Sequence, residues 1–140
     1  MDSDHAPIGW WLRRADAAIE AAQSDALAAA GVTRSHWQAL NLLHADRTTP
    51  AADVAATLVD FADGPAVDAL LADLAGRGWV TGDLEPAAGL LLTEAGAGAR
   101  ADLLARVAAV RDRATAGISD DEYRATVATL RRLVANLAGV

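Results

Sequence analysis

Apolar residues return at helical spacing along most of this chain, and a large share of them are alanine. Ile8, Trp11, Leu12, Ala15, Ile19 and Ala22 mark one stripe. Leu103, Leu104, Val107 and Val110 mark a second, and Tyr123, Val127, Leu130, Val134 and Leu137 a third. Recurrence at three and four residues puts such side chains on one face of an α-helix. Alanine is the best helix former, but its methyl group buries little area, and apolar burial stabilises by only about 25 cal/mol per Å². Of 140 residues, 53 % are hydrophobic and only 4 % aromatic. One subunit therefore has too little large apolar side chain to cover three long stripes. A mainly α protein is expected, packed by close helix–helix contact and by a second subunit.

Helix signals follow one another along the chain. The first helix is expected from about Pro7 to Ala29, with Gly31 as its stop. Thr33 is a good N-cap for a second helix carrying His36, Trp37, Leu40, Leu43 and His44. Thr49-Pro50 reads as N-cap and first-turn proline of a short third helix through Val54 and Leu58. Asp63-Gly64-Pro65 opens a fourth, with Val67, Leu70, Leu71 and Leu74 inward and Gly76 and Gly78 at its end. Trp79-Val80 begins an extended segment and Leu90-Leu91-Leu92 returns from it. Gly82, Pro86 and Gly89 between them predict a hairpin, or wing. Thr93-Glu94 opens a long fifth helix closing at Gly117, and Ser119 to Glu122 is a capping box for a sixth. Between Thr49 and Thr93 this order spells a winged helix-turn-helix. The length suits one domain.

Composition excludes several chemistries. There is no cysteine, hence no disulfide, thiolate metal site or cysteine nucleophile. No P-loop, dinucleotide fingerprint, H-E-x-x-H or nucleophile elbow occurs, so no cofactor and no metal are expected. No signal-peptide pattern or membrane-spanning apolar run occurs, so a cytoplasmic protein without a membrane partner is the expectation.

The ordered pieces resemble the multiple-antibiotic-resistance-regulator (MarR) family. They are Trp11-Leu12-Arg13-Arg14-Ala15, Gly31-Val32-Thr33 leading to Trp37, Asp73-Leu74-Ala75-Gly76-Arg77-Gly78-Trp79-Val80, Leu92-Thr93-Glu94-Ala95-Gly96, and Ile118-Ser119-Asp120-Asp121-Glu122. The resemblance implies a homodimeric winged-helix protein, with residues 1–30 and 94–140 as dimerisation helices and 33–93 as the winged-helix lobe. It also implies repression of transcription and a response to small, often aromatic, ligands bound between dimerisation helices and lobe.

The departures fall on the DNA-reading parts. From Thr49 to Thr93 the acids are Asp53, Asp60, Asp63, Asp68, Asp73, Asp83 and Glu85, and the single base is Arg77. Seven acids against one base leave −6, nearly all of the chain's −7. Binding DNA relies on neutralising phosphates and releasing their counterions, which needs the opposite sign. The family's fourth helix commonly presents Ser, Thr and Arg to the major groove; here Asp68, Ala69, Ala72 and Asp73 are expected outward. The turn Val59-Asp60-Phe61-Ala62-Asp63 is about two residues longer than usual, and the wing, Thr81 to Gly89, lacks the family's arginines.

Candidate site residues lie mainly on the first two helices. Trp10, Trp11, Arg14, His36, Leu40 and His44 are read as a ligand pocket between the first, second and fifth helices. His36, Leu40 and His44 fall at i, i+4 and i+8, so the histidines share a stripe; either is a candidate general acid/base. Each has a plainer role available. The tryptophans can be packing residues, Arg14 a surface ion pair and the histidines core-edge groups. Arg34, Arg47 and Thr49 are the best-placed phosphate contacts. Three functions compete: a homodimer that has lost sequence-specific DNA binding and uses its pocket for a small aromatic or hydrophobic molecule, as binding protein or recruited enzyme; an ordinary ligand-responsive DNA-binding regulator; and a scaffold partner acting by heterodimerisation. The first is the sequence's expectation, because of the charge, with DNA binding weak or absent.

Overall fold

A computed structural model describes residues 3–58, 64–82, 85 and 87–139. The expected long turn over residues 59–63, with Asp60 and Asp63, and the wing residues Asp83, Leu84 and Pro86 lie outside them. Among the described residues the order is α1 (Ile8–Ala29), α2 (Arg34–Leu42), β1 (Thr49–Pro50), α3 (Ala51–Leu58), α4 (Gly64–Gly76), β2 (Val80–Gly82), β3 (Gly89–Leu92), α5 (Glu94–Ala114) and α6 (Asp120–Leu137). The architecture is mainly α with a winged helix-turn-helix at its centre.

Local chemistry explains most boundaries. Helix α1 closes where Gly31 takes the left-handed conformation, φ +76°. Gly31 N–H donates to the Ala28 carbonyl at 2.9 Å and Val32 N–H to that of Leu27 at 3.1 Å. This is a Schellman closure, and its two apolar members, Leu27 and Val32, are both buried. Gly78, also at φ +76°, ends α4 the same way, with Trp79 N–H on the Leu74 carbonyl at 3.1 Å. Thr33, Thr93 and Ser119 cap α2, α5 and α6. At α6 Glu122 completes the expected capping box.

Three expectations are corrected. Thr49 and Pro50 do not open the third helix; they form an edge strand, paired with Leu90 and Gly89. Proline donates no hydrogen bond and is tolerated at a sheet edge, and Ala51 N–H continues the pairing onto the Ala88 carbonyl at 3.0 Å. Helix α2 ends at Leu42, and Leu43 is already extended, so His44 leaves the stripe of His36 and Leu40. Helix α5 ends at Ala114 with Thr115 as its C-cap, not at Gly117.

The sheet is antiparallel in the order β1-β3-β2, with Val80 opposite Leu92 and Gly82 opposite Leu90. Its inner residues Val80, Leu90 and Leu92 join the buried faces of α2, α3 and α4 and the Leu103–Val107 segment of α5 in one core. Burying each leucine contributes about 1.5–3 kcal/mol. Helix α6 has no buried residue.

Candidate functional site

Helix α4 and the strand pair after it are the parts that would face DNA in a winged helix. Val67, Leu70, Leu71 and Leu74 are buried, whereas Asp68, Ala69, Ala72 and Asp73 are exposed. The expected outward face is thus the observed one, but Asp73 is not a free acid on it. Its Oδ2 accepts from His36 Nε2 at 2.7 Å and from Arg77 Nε at 2.9 Å. The hydrogen bond from His36 is the largest influence on its carboxyl; partial desolvation opposes it, and the bond and charge of Arg77 add to the lowering, so the carboxyl stays below the usual carboxylate range.

His36 stands at the third position of α2. Thr33 N–H donates to its Nδ1 at 3.1 Å, so His36 plays the part that Glu or Gln plays in a capping box. With Nδ1 accepting, the proton sits on Nε2 and points at Asp73. The imidazole is therefore oriented at both nitrogens, and its side chain is only 12 % exposed. The sequence reading missed this role; the signal was His three residues after a threonine N-cap.

The other expected pocket residues fall into separate groups. Trp10 and Trp11 meet edge to face, with ring centroids 4.7 Å apart, and the Arg14 guanidinium lies over Trp10 at 4.8 Å. Trp11 remains exposed. Leu40 is fully buried in the core. His44 Nε2 accepts from Arg47 Nη2 at 2.9 Å. Among the described residues no hydrogen bond or ring contact joins the tryptophans to either histidine. The expected phosphate contacts are also engaged: Arg34 with Glu20 of α1 at 2.5 Å, Arg47 with His44, and Thr49 in β1.

Two arginines outside the candidate site residues also join distant elements. Arg77 Nη2 donates to the Gly31 carbonyl at 2.9 Å, and its guanidinium lies 5.0 Å over the Trp79 ring. Arg100 of α5 donates to the carbonyls of Leu40 and Leu43 at 3.4 and 3.0 Å, which closes the C-terminal end of α2. For Arg77 the only local sequence signal is its i,i+4 spacing from Asp73; Arg100 has none.

Open cavities occur elsewhere. One of about 220 Å³ lies between α1 and α5, lined by Ala18, Ile19, Ala22, Val110, Arg113 and Ala114. Another, of about 390 Å³, lies at the α1–α2 corner beside Ser24, Ala28, Val32 and Thr33. Neither is lined by Trp10, Trp11, His36 or His44.

The sequence matches no protein-family model and no curated protein. The fold, however, is similar to many solved structures. MepR, a transcription regulator of the Staphylococcus aureus multidrug efflux pump MepA, aligns with a TM-score of 0.80 at 18 % identity, over 94 % of this chain and 99 % of that one. A MarR family protein of Mycobacterium tuberculosis in complex with DNA aligns at 0.72 and 25 % identity, over 91 % and 98 %. A MarR family regulator from a Rhodococcus species aligns at 0.68 and 29 %, over 95 % and 96 %. The likeness runs over nearly the whole of each chain, and this chain has the winged-helix fold of the MarR family.

Proposed function

We propose that the chain is a transcriptional regulator of the MarR type: one domain that dimerises with itself, holds DNA with α4 and the β2–β3 wing, and answers to a small molecule. The observation that carries this reading is the likeness over nearly the whole chain to the DNA-bound mycobacterial protein. That protein has also been solved with salicylic acid and with p-aminosalicylic acid, which supports an aromatic acid as the class of effector here. Trp11 and Arg14 are suited to stacking and to pairing with a carboxylate.

Dimerisation through residues 1–30 and 94–140 is supported by where the uncovered apolar side chains lie. Ile8, Trp11, Leu12 and Ile19 on α1, Leu104 on α5, Ile118 before α6, and Tyr123, Val134 and Leu137 on α6 are all exposed. Patches of that extent on terminal helices mark association surfaces.

The grip on DNA is expected to be weak. Arg77 is committed to Asp73 and Gly31, so α4 offers phosphates no free base among the described residues. Contacts fall to Arg34 and Arg47, which would have to share themselves with Glu20 and His44, and to Thr49; two or three phosphates per subunit give a shallow salt dependence and modest affinity. The exposed Asp68 favours a second reading, in which a MarR-like homodimer has given up sequence-specific binding and keeps only its small-molecule pocket. Fluorescence anisotropy with the chain's own upstream region, between about 50 and 200 mM salt, separates the two. Preference for that fragment over scrambled DNA supports the regulator. No binding even at the lowest salt rejects it in favour of the second reading.

A further inference from the structure

We propose that Arg77 is a coupling residue, locking α4 and the base of the wing to the α1–α2 corner so that the three move as one body. The contacts form a closed ring. Arg77 donates to the Gly31 carbonyl at the corner and to Asp73 on α4. Asp73 accepts from His36, and His36 is held by Thr33, two residues beyond Gly31. The chain itself closes the circuit through Val32, which is buried. The same guanidinium stacks on Trp79, whose carbonyl accepts from Thr93 N–H at 3.0 Å at the entry to β2. One side chain therefore touches the corner, the last turn of α4 and the foot of the hairpin.

Geometry makes the ring stiff. A guanidinium is a planar fork with donors in fixed directions, and here two of its nitrogens serve two different elements. Asp73 Oδ2 takes two donors, and both nitrogens of His36 are engaged, so none of the three side chains can rotate without breaking a bond. A network of this kind can carry a shift from one place to another if it has two arrangements, made and broken; the structure shows the made one. The proposal deepens the regulator reading: an effector or partner that displaces the corner would carry α4 and the wing together. Its test needs no DNA, so its failure and the failure of that reading are distinguishable.

The experiment is hydrogen–deuterium exchange by mass spectrometry on the full chain, comparing wild type with Arg77→Met, Arg77→Lys and Asp73→Asn. Arg77→Met keeps an unbranched apolar stem and loses the fork; Arg77→Lys keeps charge and can reach only one acceptor at a time. The expected result is exchange faster by about tenfold in peptides covering the end of α4, β2 and the α1–α2 corner together, with α5 unchanged, and a smaller rise in Arg77→Lys. Adding Asp73→Asn to Arg77→Met should accelerate these peptides little further, since one ring is already open. Unchanged exchange in Arg77→Met overturns the proposal. So does a rise confined to one of the three segments, or one spread evenly over α5 as well. If Arg77→Met fails to fold, Arg77→Lys and Asp73→Asn are read by the same criteria.

Discussion

Gly96, in the first turn of α5, lies against the Trp79 carbonyl so closely that a Cβ there would fall 2.1 Å from the oxygen. The approach is set by two bonds. Thr93 N–H donates to that carbonyl at 3.0 Å, and Gly96 N–H donates to Thr93 Oγ1 at 3.0 Å. The start of α5 is thereby pressed onto the foot of the hairpin, and only a residue without a side chain fits. Gly96→Ala forces a methyl group against a backbone carbonyl. It is expected to cost about 1–3 kcal/mol, the usual range for overpacking, read as a lower urea midpoint with little change in slope. An unaltered midpoint would show that the contact relaxes freely.

Helix α6 buries nothing within its own chain, which makes its apolar edge the place to test the proposed dimer. Replacing Val134 and Leu137 together with glutamate should convert a dimer to monomer at micromolar concentration, measured by light scattering. The same pair left as alanine should weaken the dimer less. A wild-type chain that scatters as a monomer would remove the dimer from the reading.

Charge on α4 can be tested by adding what is missing. Asp68 is exposed on the outward face of α4, where it repels any phosphate in reach. Asp68→Arg is expected to tighten binding to all DNA sequences and to steepen the dependence on salt by roughly one unit of slope per added phosphate contact. Anisotropy titrations at several salt concentrations check both. If neither changes, α4 does not face the duplex.

Asp73 also predicts a response to acid. Its carboxyl titrates below the ordinary value in the folded chain because His36 and Arg77 favour the charged form. An unfolded chain then binds the proton more readily than the folded one, so acid favours unfolding. The contribution is complete above the unfolded carboxylate pKa, near 3.9, and is lost as pH falls through the lower folded value. Glu122 acts in the same sense, held down by its bond from the Ser119 backbone. Melting temperatures recorded from neutral pH to about pH 2 should fall less steeply at the acid end for Asp73→Asn than for wild type. Parallel curves would mean that the pair adds no acid-dependent stability.

What the amino-acid order determined is local. Apolar spacing placed the helices, threonine and serine placed the N-caps at Thr33, Thr93 and Ser119, and Gly31 and Gly78 placed two helix ends. The resemblance in ordered pieces led to the right fold class, because caps, stops and hairpins depend on residues within a few positions of each other. What only the tertiary structure decided depends on partners far along the chain. Pro50 looks like a helix start until β3 arrives beside it. Asp73 looks like a surface acid until His36, 37 residues away, takes its oxygen. Arg77 reaches a carbonyl 46 residues back, and Arg100 one 57 residues back. His36 and His44 share a stripe only if α2 continues; the chain turns extended at Leu43 and sends them to different neighbours. No periodicity carries such pairings, since a hydrogen bond between distant elements is set by how the helices pack and not by the spacing of the residues that make it.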